Sequence, residues 1–318
     1  MKKLILIDGN AILHRAYHAL PPLTNKDGII VNAVYGFFSM FLKILEDQRP
    51  DFIVVCFDKK APTFRKELFV GYQAKRPKMS DDLVPQIKFV HEILKKAKIE
   101  IFEVDGYEAD DLIGTISVQA VTGKFNGEIE VFIVSGDRDL LQLVNSHVKM
   151  IAPITGLTNM IIYDEALVFQ KYGIRPLQMV DYKALVGDPS DNYPGVSGIG
   201  PKTASILINE YKSLENVYKN LEKIKSKNPN LALKLAQDAE AAGLAQKLAG
   251  VVLDAPITLN MEKADIKYFH EEGLVKEFEK FDFKSLLRRL SNGASGFTNV
   301  PVDKQEIKKD GAKQMELL

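Results

Sequence analysis

Apolar residues in this chain follow two periods. Short apolar, strand-like runs at Leu4 to Ile7, Phe52 to Phe57, Ile99 to Val104 and Val131 to Val134 have the length and β-branched content of buried strands. Between them, apolar residues at positions 34, 37, 38, 41, 42 and 45, and again at 109, 112, 113, 116 and 120, recur at the helical spacing. Strands alternating with helices predict an α/β domain over 1–171, with a mainly parallel sheet flanked by helices. After Tyr172-Gly173 the chain reads as helices and short Gly/Pro turns, with no strand before the brief Val251-Val252-Leu253. This predicts a second, helical domain over 172–290. Residues 291–318 are polar and carry no apolar period, the composition of a disordered tail.

Each strand run empties into acid. The first ends at Asp8 and the second at Asp58; the third leads to Glu108, Asp110 and Asp111, and the fourth to Asp137 and Asp139. In an open parallel sheet the ligand crevice lies outside the carboxyl ends of the strands. Seven carboxylates there repel one another unless cations neutralise them, and oxygen-only sites favour Mg²⁺ or Mn²⁺. Humbler roles exist for single members. Asp8 can cap the following helix, and Asp110 and Asp111 can serve a helix N-terminus for about 0.3–1 kcal/mol each. Those roles leave Glu108 unexplained. Glu108 and Asp110 can share an ion only if Glu108 precedes the first regular turn. Asp137 and Asp139 face one way on extended backbone, and Asp188 and Asp191 share a face if helical. Two metals about 3.5–4 Å apart can activate water and stabilise both oxygens of an in-line phosphoryl displacement. The five histidines show no metal-ligand spacing, and neither a nucleophile elbow nor a phosphate-binding G-x-x-x-x-G-K-[ST] loop is present.

Charge reinforces this picture. The 318 residues carry 42 Lys and Arg against 42 Asp and Glu. Nine acids belong to the clusters (the seven above with Asp188 and Asp191), so 33 remain to face 42 bases, an excess of nine positive charges elsewhere. An acidic pit in a basic surface suits an enzyme that binds a polyanion and cuts it with metals. The single cysteine, Cys56, lies inside an apolar run and reads as a small buried hydrophobe in a reducing, cytoplasmic setting. The N-terminal apolar run is too short for a secretory signal, and none approaches membrane length, so no membrane partner is expected.

Two further segments point to a phosphate backbone. Residues 61–80 mix Phe64, Arg65, Lys66, Phe69, Tyr72, Lys75, Arg76 and Lys78, which suggests a cationic aperture with an aromatic free to stack on a base. The stretch Gly195-Val196-Ser197-Gly198-Ile199-Gly200-Pro201-Lys202-Thr203-Ala204 has the form of a helix-hairpin-helix. Its glycines admit a phosphate, and the next helix's amides bind it without reading sequence.

Together these motifs resemble the 5′-nuclease domain of bacterial DNA polymerase I, in the flap endonuclease superfamily, over residues 1 to about 290. The resemblance rests on Leu6-Ile7-Asp8-Gly9-Asn10, Arg15-Ala16-Tyr17-His18-Ala19, Phe64-Arg65-Lys66-Glu67-Leu68-Phe69, Glu108-Ala109-Asp110-Asp111-Leu112 and Ser135-Gly136-Asp137-Arg138-Asp139. It extends through the hairpin to Phe283-Lys284-Ser285-Leu286-Leu287-Arg288-Arg289-Leu290. It implies a PIN-like 5′-nuclease core with a helical arch at 61–80 and a monomeric, metal-dependent 5′-3′ exonuclease and flap endonuclease. Such an enzyme works on 5′ flaps, nicked duplex and RNA primers, in Okazaki-fragment processing and repair, with a DNA polymerase supplied in trans. It further implies a first metal on Asp8, Asp58, Glu108 and Asp110. A second would sit on Asp137, Asp139 and Asp188 or Asp191, with Asp111 in an outer role. A K⁺-assisted duplex site would lie at Gly198, Ile199, Gly200, Lys202 and Thr203. Arg15, Arg65 and Arg76 match positions that meet substrate phosphates, and Tyr72 matches an arch aromatic. One departure stands out: Gln73 occupies the place of the usual arch lysine, with Lys75 two residues on as a substitute. Pro189, where the family commonly has Ser, suits a helix start. The rival readings are a PIN-like ribonuclease, which shares an acidic strand-end site, and a non-catalytic junction-binding module.

The last five residues, Gln314, Met315, Glu316, Leu317 and Leu318, resemble the bacterial sliding-clamp-binding pentapeptide, held on a flexible tether.

Overall fold

The computed structural model describes residues 1–123 and 128–293. The clamp-like residues 314–318 lie outside them. Four strands, β1 (Lys2–Asp8), β2 (Phe52–Cys56), β3 (Glu100–Phe102) and β4 (Ile129–Val134), pair in parallel in the order β3-β2-β1-β4. The third run thus keeps only its middle as strand. β5 (Val148–Thr155) continues the sheet parallel to β4, and β6 (Asn159–Tyr163) closes it antiparallel. Strand order reverses between β1 and β4, the switch point where ligands of open α/β sheets collect.

Alternation along β1 explains the two cores. Leu4 and Leu6 face one layer, Ile5 and Ile7 the other, and all four are buried. On the second face lie α1 (Gly9–Ala19), α2 (Asn32–Gln48) and, after the short α3 (Phe64–Leu68), α4 (Val84–Lys96). The first face is covered by α5 (Ala109–Thr122), whose apolar positions at helical spacing Leu112, Ile113, Ile116 and Ala120 are all buried.

The chain then passes through α6 (Glu165–Tyr172), α7 (Met179–Val186), the two-residue strands β7 (Gly187–Asp188) and β8 (Tyr193–Pro194), and α8 (Pro201–Tyr211). Next come α9 (Leu214–Lys219), α10 (Leu221–Lys227), α11 (Pro229–Gln237) and α12 (Ala239–Ala249). Two expectations need correction here. Asp188 and Asp191 are not on a helix: they flank a turn between antiparallel β7 and β8, and Pro189 sits in that turn. Gly187 and Gly195 make this pairing possible, since a Cβ on either would come 2.4 Å from the other's backbone nitrogen. Val251-Val252-Leu253 forms no strand; it crosses α5 at Gly114, where a Cβ would sit 2.5 Å from Val251 Cγ1.

The last helices of the 172–290 region pack apart from the others. After α13 (Met261–Ala264), α14 (Glu271–Lys280) and α15 (Lys284–Gly293) return to the second face of the sheet. Phe278 packs edge-on against Phe38 at 5.4 Å between ring centroids, Tyr35 meets Ser285 at 2.8 Å, and the Arg289 guanidinium pairs with Glu46. The amphipathic pattern of the last helices is therefore spent on the α/β domain's own core.

Candidate metal centre

The carboxyl ends of β1, β2 and β4 and the N-terminus of α5 bring acids together at the switch point. Asp8 closes β1 and caps α1: the Ala11 amide donates to its Oδ1 at 2.9 Å, and the Ser135 hydroxyl donates to Oδ2 at 2.6 Å. Ser135, fully buried at the end of β4, also accepts the Asp137 amide at 2.9 Å, and Asp137 in turn accepts the Asp139 amide at 2.9 Å. Asp58 accepts the Ala109 amide, 2.7 Å, at the start of α5. Glu108 is the N-cap of that helix with extended backbone, so it does precede the first turn, and Thr63 donates to its Oε1 at 2.9 Å.

These acids are desolvated and repel one another. Burial, then the charge of Asp58, pushes the Asp8 carboxyl up to about 7 despite its two hydrogen bonds. Burial, then Asp137, Asp8, Asp58 and Glu108, lifts Asp110 well above the usual carboxylate range. Asp58, at the exposed rim, and Asp137 are raised too, by desolvation first. Among the described residues no cation pairs with Asp8, Asp58, Asp110 or Asp137 within ion-pair distance. Carboxylates held this way are poised for a cation.

A second group lies beside them. One oxygen from each of Asp139, Asp188 and Asp191 falls within 4.8 Å of the others. Here cations are already present. Lys183, on α7, places its ammonium 2.5 Å from Asp188 Oδ2 and in contact with Asp139, and Arg76 reaches Asp191 Oδ1 at 2.6 Å. Asp188 is held below the usual range: burial raises it, but Lys183 and hydrogen bonds from Ser190 outweigh that. The seated ammonium is a stand-in ion, and hard oxygens are the only other donors, so the residues fit a divalent cation. Asp137 links the groups, since its charge is felt at both Asp110 and Asp191.

Several expected substrate contacts are engaged otherwise. Arg65 is buried and makes a bidentate pair with Asp111, both bonds 2.8 Å, and donates to the carbonyls of Leu248 and Gly250. Asp111 also accepts the amides of Glu108 and Val252, so both its oxygens are engaged by Arg65 and the local backbone. Tyr72 is not free to stack on a base. It is buried against Tyr193, Ala245 and Leu248, with its hydroxyl donating to Glu108 at 3.1 Å and lying 3.4 Å from Asp191. The expected aperture is folded down, its Gln73 amide donating to the Asp191 carbonyl and Asn192 donating to the Gly71 carbonyl. Lys66, Lys75 and Lys78 stay exposed. Arg15 donates to the carbonyls of Ile154 and Gly156.

At the hairpin, Gly198 has φ +71°, Ile199 is buried, and α8 opens at Gly200 with Lys202 exposed, Thr203 half-buried and no acid in its first turn. This leaves the positive end of the helix dipole uncompensated. Lys183, Ser135 and Thr63 escape a reading of the sequence. Ser135 lay inside a recognised motif, whereas Lys183 is joined to Asp139 only by the fold.

Acids collected at a parallel sheet's switch point, in a chain that also carries a glycine turn opening a helix, form an oxygen-only donor set of the kind that suits divalent cations. Comparison with known proteins makes this specific. Family models match residues 3–173 (5′-3′ exonuclease, N-terminal resolvase-like domain) and 174–272 (5′-3′ exonuclease, C-terminal SAM fold). The chain belongs to the 5′-3′ exonuclease family. It is 43% identical over 290 residues to DNA polymerase I of Caldicellulosiruptor bescii, covering 91% of this chain and 33% of that protein. It is 38% identical over 290 residues to a 5′-3′ exonuclease of Aquifex aeolicus, covering 91% of this chain and 96% of that one. The chain thus spans about a third of the length of its polymerase relatives. The fold is shared with phage T5 D15 protein crystallised with metal ions (TM-score 0.63, 20% identity, 90% of this chain and 100% of that one). It is also shared with the catalytic core of Rad2 in complex with DNA substrate (TM-score 0.56, 18% identity, 91% and 92%). No described helix is long and apolar enough to cross a membrane.

Proposed function

We propose that this chain is a metal-dependent 5′-3′ exonuclease and 5′-flap endonuclease of DNA. The observation that carries the reading is the un-neutralised group Asp8, Asp58, Asp110 and Asp137, set beside a second acid group already built around a cation. Asp8, Asp58, Glu108 and Asp110 hold one divalent ion, and Asp139, Asp188 and Asp191 hold another, with Asp137 between them. Mg²⁺ or Mn²⁺ there supplies Lewis acidity and charge neutralisation for in-line attack of water on a phosphodiester.

The chain's own residues do the rest. Ser135 and the Ala11 amide fix the Asp8 carboxylate, and Thr63 fixes Glu108. Arg76 sits at the edge of the acidic groups, half-exposed, where it can exchange Asp191 for a phosphate oxygen. Lys75 flanks it. The first-turn amides of α8, with Lys202, receive the duplex backbone on the helical domain of 172–290, and the Gly198-Ile199-Gly200 turn offers carbonyls for a K⁺ ion. The α/β unit of 1–171 carries the chemistry. Removal of 5′ flaps and RNA primers, alongside a DNA polymerase and on cytoplasmic DNA, fits relatives named DNA polymerase I.

Incubation of a 5′-labelled flap duplex with Mg²⁺ or with EDTA tests the reading. Cleavage only with metal is expected, and intact flaps under both conditions defeat it. A PIN-like ribonuclease would prefer single-stranded RNA, and a junction module would bind flaps without cutting them. Clamp docking by Gln314, Met315, Leu317 and Leu318 is a separate element of the proposal. Deleting 314–318 abolishes co-migration with a bacterial sliding clamp while free-flap cleavage persists; clamp binding that survives the deletion removes this element.

A further inference from the structure

Lys183 has no place in the chemistry so far, yet it is the best-placed cation near the second acid group. It projects from α7, with its side chain 13% exposed, and its ammonium lies between Asp139 and Asp188. Asp191, the third member, takes Arg76 instead. The turn between β7 and β8 is organised around the same carboxylate, since Asp188 Oδ1 accepts the Ser190 amide at 2.8 Å and the Ser190 hydroxyl. A divalent ion bound by these oxygens and the Lys183 ammonium cannot occupy one position. In the first group, Asp8, Asp58 and Asp110 pair with no cation among the described residues, and only Glu108 meets one, the Arg65 guanidinium at 3.7 Å.

We infer that Lys183 is a tethered competitor for the second metal: its ammonium fills that position in the metal-free protein and must swing out when the ion enters. This rests on reading Asp139, Asp188 and Asp191 as the second metal site. The ammonium keeps the three acids assembled without metal. It also lowers the apparent affinity of the second ion, because only the fraction of molecules with the lysine withdrawn can bind. A lysine suits this task better than an arginine held in a fixed bidentate fork. Its single point charge on a flexible stem can leave without breaking a planar pair. The two metals would then load in order, the first site before the second.

The test is Mn²⁺ binding to the full chain without DNA, followed by calorimetry and by the loss of the free-ion paramagnetic resonance signal. The wild type should bind one ion tightly and a second more weakly. Lys183→Met should leave the tight step unchanged and strengthen the weak step about tenfold, the effect of freeing a position occupied some nine-tenths of the time. Lys183→Arg should restore weak second-site binding. Lys183→Gln, which keeps a donor without charge, provides the same comparison if the Met variant unfolds in EDTA. A second-site affinity in both neutral variants that is unchanged or lower overturns the competitor role, because a lysine that only positions the acids would weaken binding when lost. Failure of the wild type and of both neutral variants to bind a second Mn²⁺ overturns the metal-site reading itself, and the two failures are distinguishable.

Discussion

Asp110 and Asp111 are chain neighbours on the first turn of α5, and their environments are opposite. Asp111 is fully buried and satisfied on both oxygens by Arg65, with backbone amides of Glu108 and Val252 in support. Asp110 has no paired cation among the described residues and is lifted well above the usual carboxylate range by burial and four neighbouring acids. The contrast extends to the two acidic groups. Around Asp8 the fold leaves charge unpaired, whereas around Asp188 it supplies Lys183 and Arg76. Asp111, which serves the fold, carries its own base in Arg65. An acid that is kept without one costs stability in the metal-free protein, and it is retained for a ligand.

The sharpest way to break this comparison is at Arg65. Arg65→Met leaves Asp111 buried without its partner and the carbonyls of Leu248 and Gly250 without their donor. Loss of one member of a buried pair costs about 3–5 kcal/mol. The expected result is a large fall in the denaturation midpoint that added Mg²⁺ recovers only in part. A variant that keeps wild-type stability but loses cleavage would return Arg65 to the substrate.

Next in size is a pair of charge-removing substitutions. Asp110→Asn should lower metal-dependent cleavage by roughly 10²–10³-fold, as for loss of a group that organises transition-state charge, and should raise stability in EDTA by relieving repulsion. Asp188→Asn should do the opposite in EDTA, because it weakens the seat of Lys183 and the Ser190 turn, by about 1–3 kcal/mol. Thermal melts of the two proteins in EDTA decide the matter. Shifts of the same sign in both would erase the distinction between the groups.

What the sequence disclosed follows the range of the forces involved. The strand runs and α2 and α5 are local periodicities, and the acids at their ends were legible as a cluster because parallel neighbours put those ends together. The place of Glu108 before the first turn of α5 entered only as a condition for sharing an ion with Asp110, and the structure meets that condition. The fate of Arg65 was not legible, since its partners lie 46 residues away in α5 and more than 180 away at the C-terminal end of α12. A run of arginine, tyrosine and lysine looks alike whether it faces a phosphate or a buried carboxylate. The β7–β8 turn was equally hidden: it depends on the contact of Gly187 with Gly195 and not on any periodicity. The return of α14 and α15 to α2 is carried by Phe38, Phe278 and Phe283, residues that fit any core.

The smallest expected effect is the most direct measure of the unpaired group. In the folded, metal-free protein the Asp8 carboxyl stands at about 7, against 3.8 for an ordinary aspartate. Between those values the folded state holds a proton that the unfolded chain has released. Where the native state binds more protons, stability falls as pH rises, by at most about 1.4 kcal/mol per pH unit for a single group. Melting in EDTA should therefore drop between pH 5 and pH 7, and Asp110, also raised, should steepen the drop. Saturating Mg²⁺ reverses the sign, because ions bind the deprotonated acids and gain affinity as pH rises. Asp188, held below the usual range, is ionised throughout this window and contributes nothing to the slope. The Asp8→Asn variant should flatten the EDTA curve, while Asp188→Asn should leave its slope unchanged. An equal effect of both on the slope would mean that the two acid groups titrate as one, and that the separation between an unpaired and a lysine-filled site does not hold in solution.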